Sequence, residues 1–307
     1  MKVTIFGGSG FVGKHLTSYL IKSGNEVVLV SRSKRLSQDS LVRHATWSEL
    51  QDNIEPLEGA DAIVNLTGET INQYWTPKAK TRILESRINS TKNVAHFVQK
   101  LKSKPKVVIN SSAVGIYGMS ESEEYDETSP ISNNDFLARI VYEWERSADM
   151  IEPYTRLVKL RLGVVFGADG GALPKMLLPY KLFIGGRIGN GRQWLSWIHV
   201  DDLVRLIEFC IINQKVKGPI NATAPTPVTN DEFGRAIGSV IGRPHFFPVP
   251  SSILRVILGE MSQMVLNGQK VLPKKAMESG FTFTYQTIDL ALRDLLGKEQ
   301  AMYPHSK

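Results

Sequence analysis

The chain has 307 residues, 42% apolar and 22% charged, with a formal net charge of +7, values that fit a globular protein and exclude a disordered or fibrous one. Its single cysteine, Cys210, lies in the apolar run LIEFCIINQ, so a buried core thiol is expected and neither a disulfide framework nor a metal site. The lysines are spread along the chain rather than gathered with aromatic residues, which argues for an anionic small-molecule ligand and against a nucleic-acid partner.

The N-terminus, MKVTIF, reads directly as a strand with no basic and apolar leader before it, and no apolar run approaches the ~18 residues of a membrane span. A soluble, cytoplasmic protein without a membrane partner is the expectation. Further apolar runs bounded by turn residues follow in order: VVLVSR, DAIVNLTG, KVVINSSA and RLVKLRLGVVFG, with KGPINATA near 217–224 as a later strand. Helical patterns lie between them, including GKHLTSYLIKSG and the long segment from Pro77 to Leu101. The run KLKSKPK at 100–106 reads as a solvated helix end and loop. This alternation predicts an α/β fold, a Rossmann-like doubly wound parallel sheet with helices on both faces. After Gly167 the chain turns Gly-rich and Pro-punctuated. The expected division is a dinucleotide-binding domain over 1–167, completed by roughly 197–224, a smaller C-terminal substrate lobe from 168–196 and 225–297, and a frayed tail over 298–307.

The clearest chemical signal is GGSGFVG at 7–13, between the first strand and the first helix. In that context Gly7, Gly8, Ser9, Gly10, Phe11, Val12 and Gly13 predict a pyrophosphate loop: early glycines allow a tight turn and close backbone approach, the helix start offers unpaired N–H groups, and Gly13 lets helix and strand pack closely. At the end of the second strand an Asp or Glu would hold the ribose hydroxyls of NAD. Ser31 and Arg32 stand there instead, followed by Lys34 and Arg35. A guanidinium pairs with a 2′-phosphate, so NADP(H) is the expected cofactor, with Arg32 as the selector and Ser31 assisting.

GGSGFVG, VSRS, NLTGE at 65–69, SSAVGIYG at 111–118, RLGVVFG at 161–167 and WIHVDDL at 197–203 occur in an order and spacing that resembles the extended short-chain dehydrogenase/reductases. With WTPKAKTRILESRINST at 75–91, GNGRQWLSWIHVDDL at 189–203, GQKVLPKKAMESGFTF and ALRDLL, the chain is similar to their atypical epimerase-like branch, the SulA-type nucleoside-diphosphate-sugar epimerases. The resemblance runs from Met1 to about Leu296. It implies a seven-stranded NADP(H)-binding sheet with a C-terminal substrate lobe, and a loop of Leu66, Thr67 and Gly68 beside the cofactor, flanked by Asn65 and Glu69. It also implies that Phe166 and Gly167 close over the nicotinamide end and that Trp197, Ile198 and His199 pack where the lobes meet, with His199 architectural.

In the wider superfamily a Tyr-x-x-x-Lys pair, one helical turn apart so that the ammonium lowers the phenol's pKa, performs proton transfer. The stretch DFLARIVYEWE at 135–145 has Leu137 and Val141 at those positions when Glu145 marks the register. It therefore reads as a packing helix. The strand-end hydroxyls survive better: Ser112 is the expected catalytic serine, Ser111 a cofactor neighbour, and Tyr117 and Glu69 the candidates for moving the proton. Arg87 either binds an anionic substrate group or ties its helix to the sheet. Gln193 and Trp197, with Arg187, Arg192 and Trp194, are candidates for contacting substrate. The expected function is hydride exchange on a sugar nucleotide or another small carbonyl or hydroxyl compound, by a monomer or homodimer. The alternative is a non-catalytic NADP(H)-responsive binding module.

Overall fold

The computed structural model describes residues 1–33 and 39–302, with the side chains of 298–302 excepted. Lys34 and Arg35 lie outside the described residues. Seven strands, β1 (Lys2–Phe6), β2 (Glu26–Ser31), β3 (Val42–Thr46), β4 (Ala62–Asn65), β5 (Val107–Ala113), β6 (Arg156–Leu162) and β7 (Gly218–Ala222), form one sheet in the order β7-β6-β5-β4-β1-β2-β3. Every pairing in it is parallel.

Because both faces of such a sheet are covered, its central strands are apolar nearly throughout, and alternate residues feed two separate cores. Val3 and Ile5 of β1 join Leu16 and Leu20 of α1 (Phe11–Lys22) and Leu206, Ile207 and Cys210 of α6 (Val200–Ile212). Phe6, Val28 and Val30 face the opposite way, onto Val94, Phe97 and Val98 of α3 (Pro77–Lys100). Burial pushes the Cys210 thiol up to about 12, so it stays protonated and inert at neutral pH. A third apolar cluster gathers Phe166, Trp197 and Phe233 with α5 (Leu173–Lys181), α7 (Asn230–Ile241) and the C-terminal helix Ile288–Met302. That helix runs through 298–302, where a frayed tail was expected, because Ile288, Leu292 and Leu295 anchor its preceding turns in this cluster.

The chain leaves β1 toward β2 and β3, then returns on the other side at β4. This reversal opens a crevice above the carboxyl ends of β1 and β4, the place where open α/β sheets hold their ligands.

Candidate active site

The turn after β1 uses glycine where geometry demands it. Gly7 has φ +81°, and a Cβ there would press on the backbone of Leu66 at 3.0 Å. A Cβ on Gly13 would fall 2.6 Å from both Gly7 O and Gly8 Cα, so α1 can lie on the loop only with hydrogen at that position. The working spacing is thus Gly7, Gly10, Gly13, with Gly8 backed by Leu29. Gly10 caps α1 in extended conformation, with no side-chain cap bond and no acidic residue in the first turn. The N–H groups of Phe11, Val12 and Gly13 at the start of α1 form a positive pole with no carboxylate of the chain in that turn, a fit for a phosphate.

The Phe11 ring is covered by the glycine loop after Phe166: a Cβ on Gly167 or Gly170 would come within 2.4 Å of it. His15 meets the same ring edge-on and bonds Asp169 at 2.9 Å, closing that loop over the helix start. Gly8, Ser9, Lys14, Ser31 and His44 line a crevice of about 550 Å³ running toward the end of β2. The Ser31 hydroxyl donates to Ser33 O at 2.7 Å, and Arg32 is exposed at the strand's end.

Asn65 shapes the next loop. Its side chain, fully buried, donates to Asn110 Oδ1 at 2.7 Å and accepts from Thr67 N at 3.3 Å, which holds Leu66, Thr67 and Gly68 above the strand ends. Ser111 is buried behind that loop, donating to Asn65 O at 2.7 Å. Arg87 reaches the loop from α3: Nη1 donates to Glu69 O at 3.0 Å and Ile83 O at 2.9 Å. Glu69 is half-exposed, its carboxylate 3.3 Å from Gln73 Nε2 and 3.9 Å from Arg82 Nε.

The helix α4 (Phe136–Ala148) presents Leu137 and Val141 to Gly115, so the face that would carry an acid–base pair is aliphatic. The strand-end hydroxyls are differently placed from the expectation. Ser112 is buried and donates to Glu145 Oε1 at 2.6 Å. Glu145 also takes two bonds from the Arg161 guanidinium, at 2.8 and 2.9 Å. Arg161 Nη1 in turn donates to the Tyr117 oxygen at 2.8 Å, and Tyr117 donates to Asn221 Oδ1 at 2.8 Å. All five residues are buried. Burial raises the Tyr117 pKa even against the Arg161 cation, so the phenol is a poor base at neutral pH. Burial likewise works against the Arg161 charge, but the paired bonds to Glu145 hold its pKa above the ordinary arginine value.

Burial bears on four further residues. Trp197 is fully buried, stacked with Phe166 at 5.9 Å and donating to Thr226 O, which makes it a wedge in the third apolar cluster rather than a surface for substrate. Phe166 shares that core, and it is the following glycines that cover α1. Gln193 is buried, its amide nitrogen spent on Ile188 O and Val265 O, so it ties the Gly-rich loop to the segment around Val265. His199, also buried, accepts from Asp201 N at Nδ1 and faces Asp294 with Nε2 at 3.3 Å. With Nδ1 accepting, Nε2 bears the proton. In the cluster of His199, Asp201 and Asp294, the ring is held by the Asp201 N–H and stands opposite the Asp294 carboxylate.

Glu145 and Arg161 were the residues sequence reasoning missed. The available signal was a charged residue at an inward position of a central parallel strand, RLVKLRL, where both faces are covered.

Comparison with known proteins agrees with this architecture. The profile of the NAD dependent epimerase/dehydratase family matches residues 3–222, and that of a domain of unknown function, DUF1731, matches 249–295. The epimerase family protein YfhF of Bacillus subtilis (strain 168) is 44% identical over 304 residues, 98% of this chain and all of that protein. Among solved structures, human epimerase family protein SDR39U1 (isoform 2) with NADPH superposes with a TM-score of 0.90 at 36% identity, covering 97% of this chain and 99% of that one. A nucleoside-diphosphate sugar epimerase from Corynebacterium glutamicum has a TM-score of 0.78 at 31% identity, over 97% of this chain and 58% of its own. No helix among the described residues is long and apolar enough to cross a membrane.

Proposed function

The chain belongs to the NAD-dependent epimerase/dehydratase family, and from that premise we propose that it is an NADP(H)-dependent oxidoreductase acting by hydride exchange on a sugar nucleotide or another small carbonyl or hydroxyl compound. The observation that carries this reading is the acid-free start of α1 behind Gly7, Gly10 and Gly13, with Ser31 and Arg32 at the end of β2 where NAD binders carry a carboxylate. The human relative described with NADPH supports the same choice of cofactor. The bound cofactor supplies a hydride at nicotinamide C4.

The chain's own part is to bind, orient and exclude water. The N–H groups of Phe11, Val12 and Gly13 receive the pyrophosphate, Arg32 pairs with the 2′-phosphate, and the Leu66–Thr67–Gly68 loop, pinned by Asn65, fixes the depth of the cofactor. Leu137 and Val141 form an apolar wall facing Gly115. Ser112 and Tyr117 act as positioning residues: with Glu145 and Arg161 they fix the end of β5 against α4. Proton transfer falls to Glu69 or to water beside it, since Glu69 is the half-exposed carboxylate next to the cofactor loop.

Incubating the protein with C4-deuterated NADPH and cell metabolite extracts tests the reading directly. Deuterium in one metabolite by mass spectrometry, lost with Arg32→Ala, is the expected result. The aliphatic face of α4 favours one other reading, an NADP(H)-gated binding module. Confirmed NADPH binding without label transfer from several extracts selects it.

A further inference from the structure

Arg87 is held as a binding group is held, yet no carboxylate among the described residues forms an ion pair with it. It lies on α3 one turn before Thr91, whose hydroxyl contacts Asn110 at the strand ends. Nη1 is fixed by the carbonyls of Glu69 and Ile83, and the guanidinium carbon stands 5.2 Å from the centre of the Trp144 ring. A Cβ on Gly68 would fall 3.2 Å from that carbon and 3.4 Å from Nη2, so the group sits close beside the bare glycine backbone. Tethered and stacked in this way, it has lost most of the rotamer freedom that an arginine gives up on binding.

Its charge is uncompensated. Among the described residues Arg87 has no ion pair, and Nε and Nη2 carry no hydrogen bond. The nearby carboxylate of Glu69 is turned toward Gln73 and Arg82. Burial lowers the Arg87 pKa to about 10, against the raising field of Glu69. A partly desolvated cation held by two neutral carbonyls and the Trp144 ring, with Glu69 contributing only its field, is costly unless a paired anion supplies the counter-charge. The Nε–Nη2 edge of a guanidinium matches two oxygens of a carboxylate or phosphate.

We infer that Arg87 is the anion-binding group for the second ligand, taking a carboxylate or phosphate on its Nε–Nη2 edge beside Gly68, at the β1/β4 reversal. This rests on reading the Leu66–Gly68 loop as the edge of the cofactor site. It deepens that reading by requiring an anionic substrate, gripped apart from the start of α1 where the pyrophosphate is received.

The test is calorimetric titration of the NADPH-loaded protein with inorganic phosphate and, separately, with succinate. The wild type binds at least one, which also decides between phosphate and carboxylate. Arg87→Gln weakens that binding by about 10- to 100-fold, as expected for charge-assisted bonds, Arg87→Lys by less, and NADPH affinity changes by under about threefold.

Binding of neither anion, or equal binding by wild type and variants, overturns the inference. So does a fall in NADPH affinity parallel to the loss of anion binding, which would assign the guanidinium to the cofactor's own phosphates. If Arg87→Gln does not fold, Arg87→Lys decides, and unchanged anion binding in it leaves Arg87 as a structural tie. Absence of deuterium transfer with Arg87-dependent anion binding would defeat the hydride reading and leave this one standing.

Discussion

Gly10 and Gly13 are three residues apart and carry different duties. Gly13→Ala forces a Cβ to 2.6 Å from immobile backbone, so a loss of about 1–3 kcal/mol is expected in urea unfolding, together with weakened NADPH binding. At Gly10 the backbone is extended and the nearest atom, Gly7 O, is 3.3 Å away. Gly10→Ala should therefore unfold within about 1 kcal/mol of wild type, yet bind NADPH at least ~10-fold more weakly because its methyl group intrudes on the phosphate seat. Equal effects of the two substitutions on stability would refute this division. Arg32→Ala is expected to weaken NADPH by about 10- to 100-fold and to leave NADH nearly unchanged, read by fluorescence titration of each. Equal losses would remove Arg32 as selector. The glycines were legible because a loop between strand and helix has few ways to approach a phosphate. The fates of Ser112 and Gln193 were not, since a hydroxyl or amide reveals nothing locally about which distant partner will claim it.

The α4 helix shows what an element's sequence can and cannot say. Its capping residue Asp135 and its buried face of Ala138, Ile140, Val141 and Trp144 follow from local pattern. The absence of the Tyr-x-x-x-Lys pair follows from register, and the structure sets Leu137 and Val141 on Gly115. The clamp from Glu145 to Arg161 of β6 does not follow, because it joins two elements through side chains whose side-chain exposure is 9% and 5%. Removing one partner, as in Glu145→Ala, strands a buried charge and should cost about 3–5 kcal/mol in chemical denaturation. Replacing both, with Glu145→Leu and Arg161→Met together, should recover much of that loss. A double variant no more stable than the single one would show that the bonds to Ser112 and Tyr117, rather than the ion pair, hold the joint.

At the scale of the whole molecule, the segment after β5 stitches the sheet to the C-terminal part of the chain. Glu124–Tyr125 pairs with Lys270–Val271, Asp126 meets Lys274 at 3.1 Å, and Glu127 accepts from Asn221 N and Lys275 N. Bonds from the Thr128 hydroxyl, then Thr128 N and Lys274, hold the Asp126 pKa down to about 2 despite slight burial. A lowered carboxyl stabilises the fold above its ordinary value and loses that contribution as pH falls toward the lowered one. Melting temperature should thus drop between about pH 4 and pH 2, and Asp126→Asn should flatten that limb; an unchanged limb would place the acid sensitivity elsewhere. The sequence by itself determined the parallel sheet, the glycine turn between β1 and α1 and the aliphatic face of α4, because each is written in residues that are neighbours along the chain or one period apart. Only the tertiary structure decided that Ser112 and Tyr117 serve a buried clamp, that Trp197 fills a core, and that Arg87 lies uncompensated against Gly68. Those roles depend on which groups distant in sequence reach each other first, and on how much water is left between them.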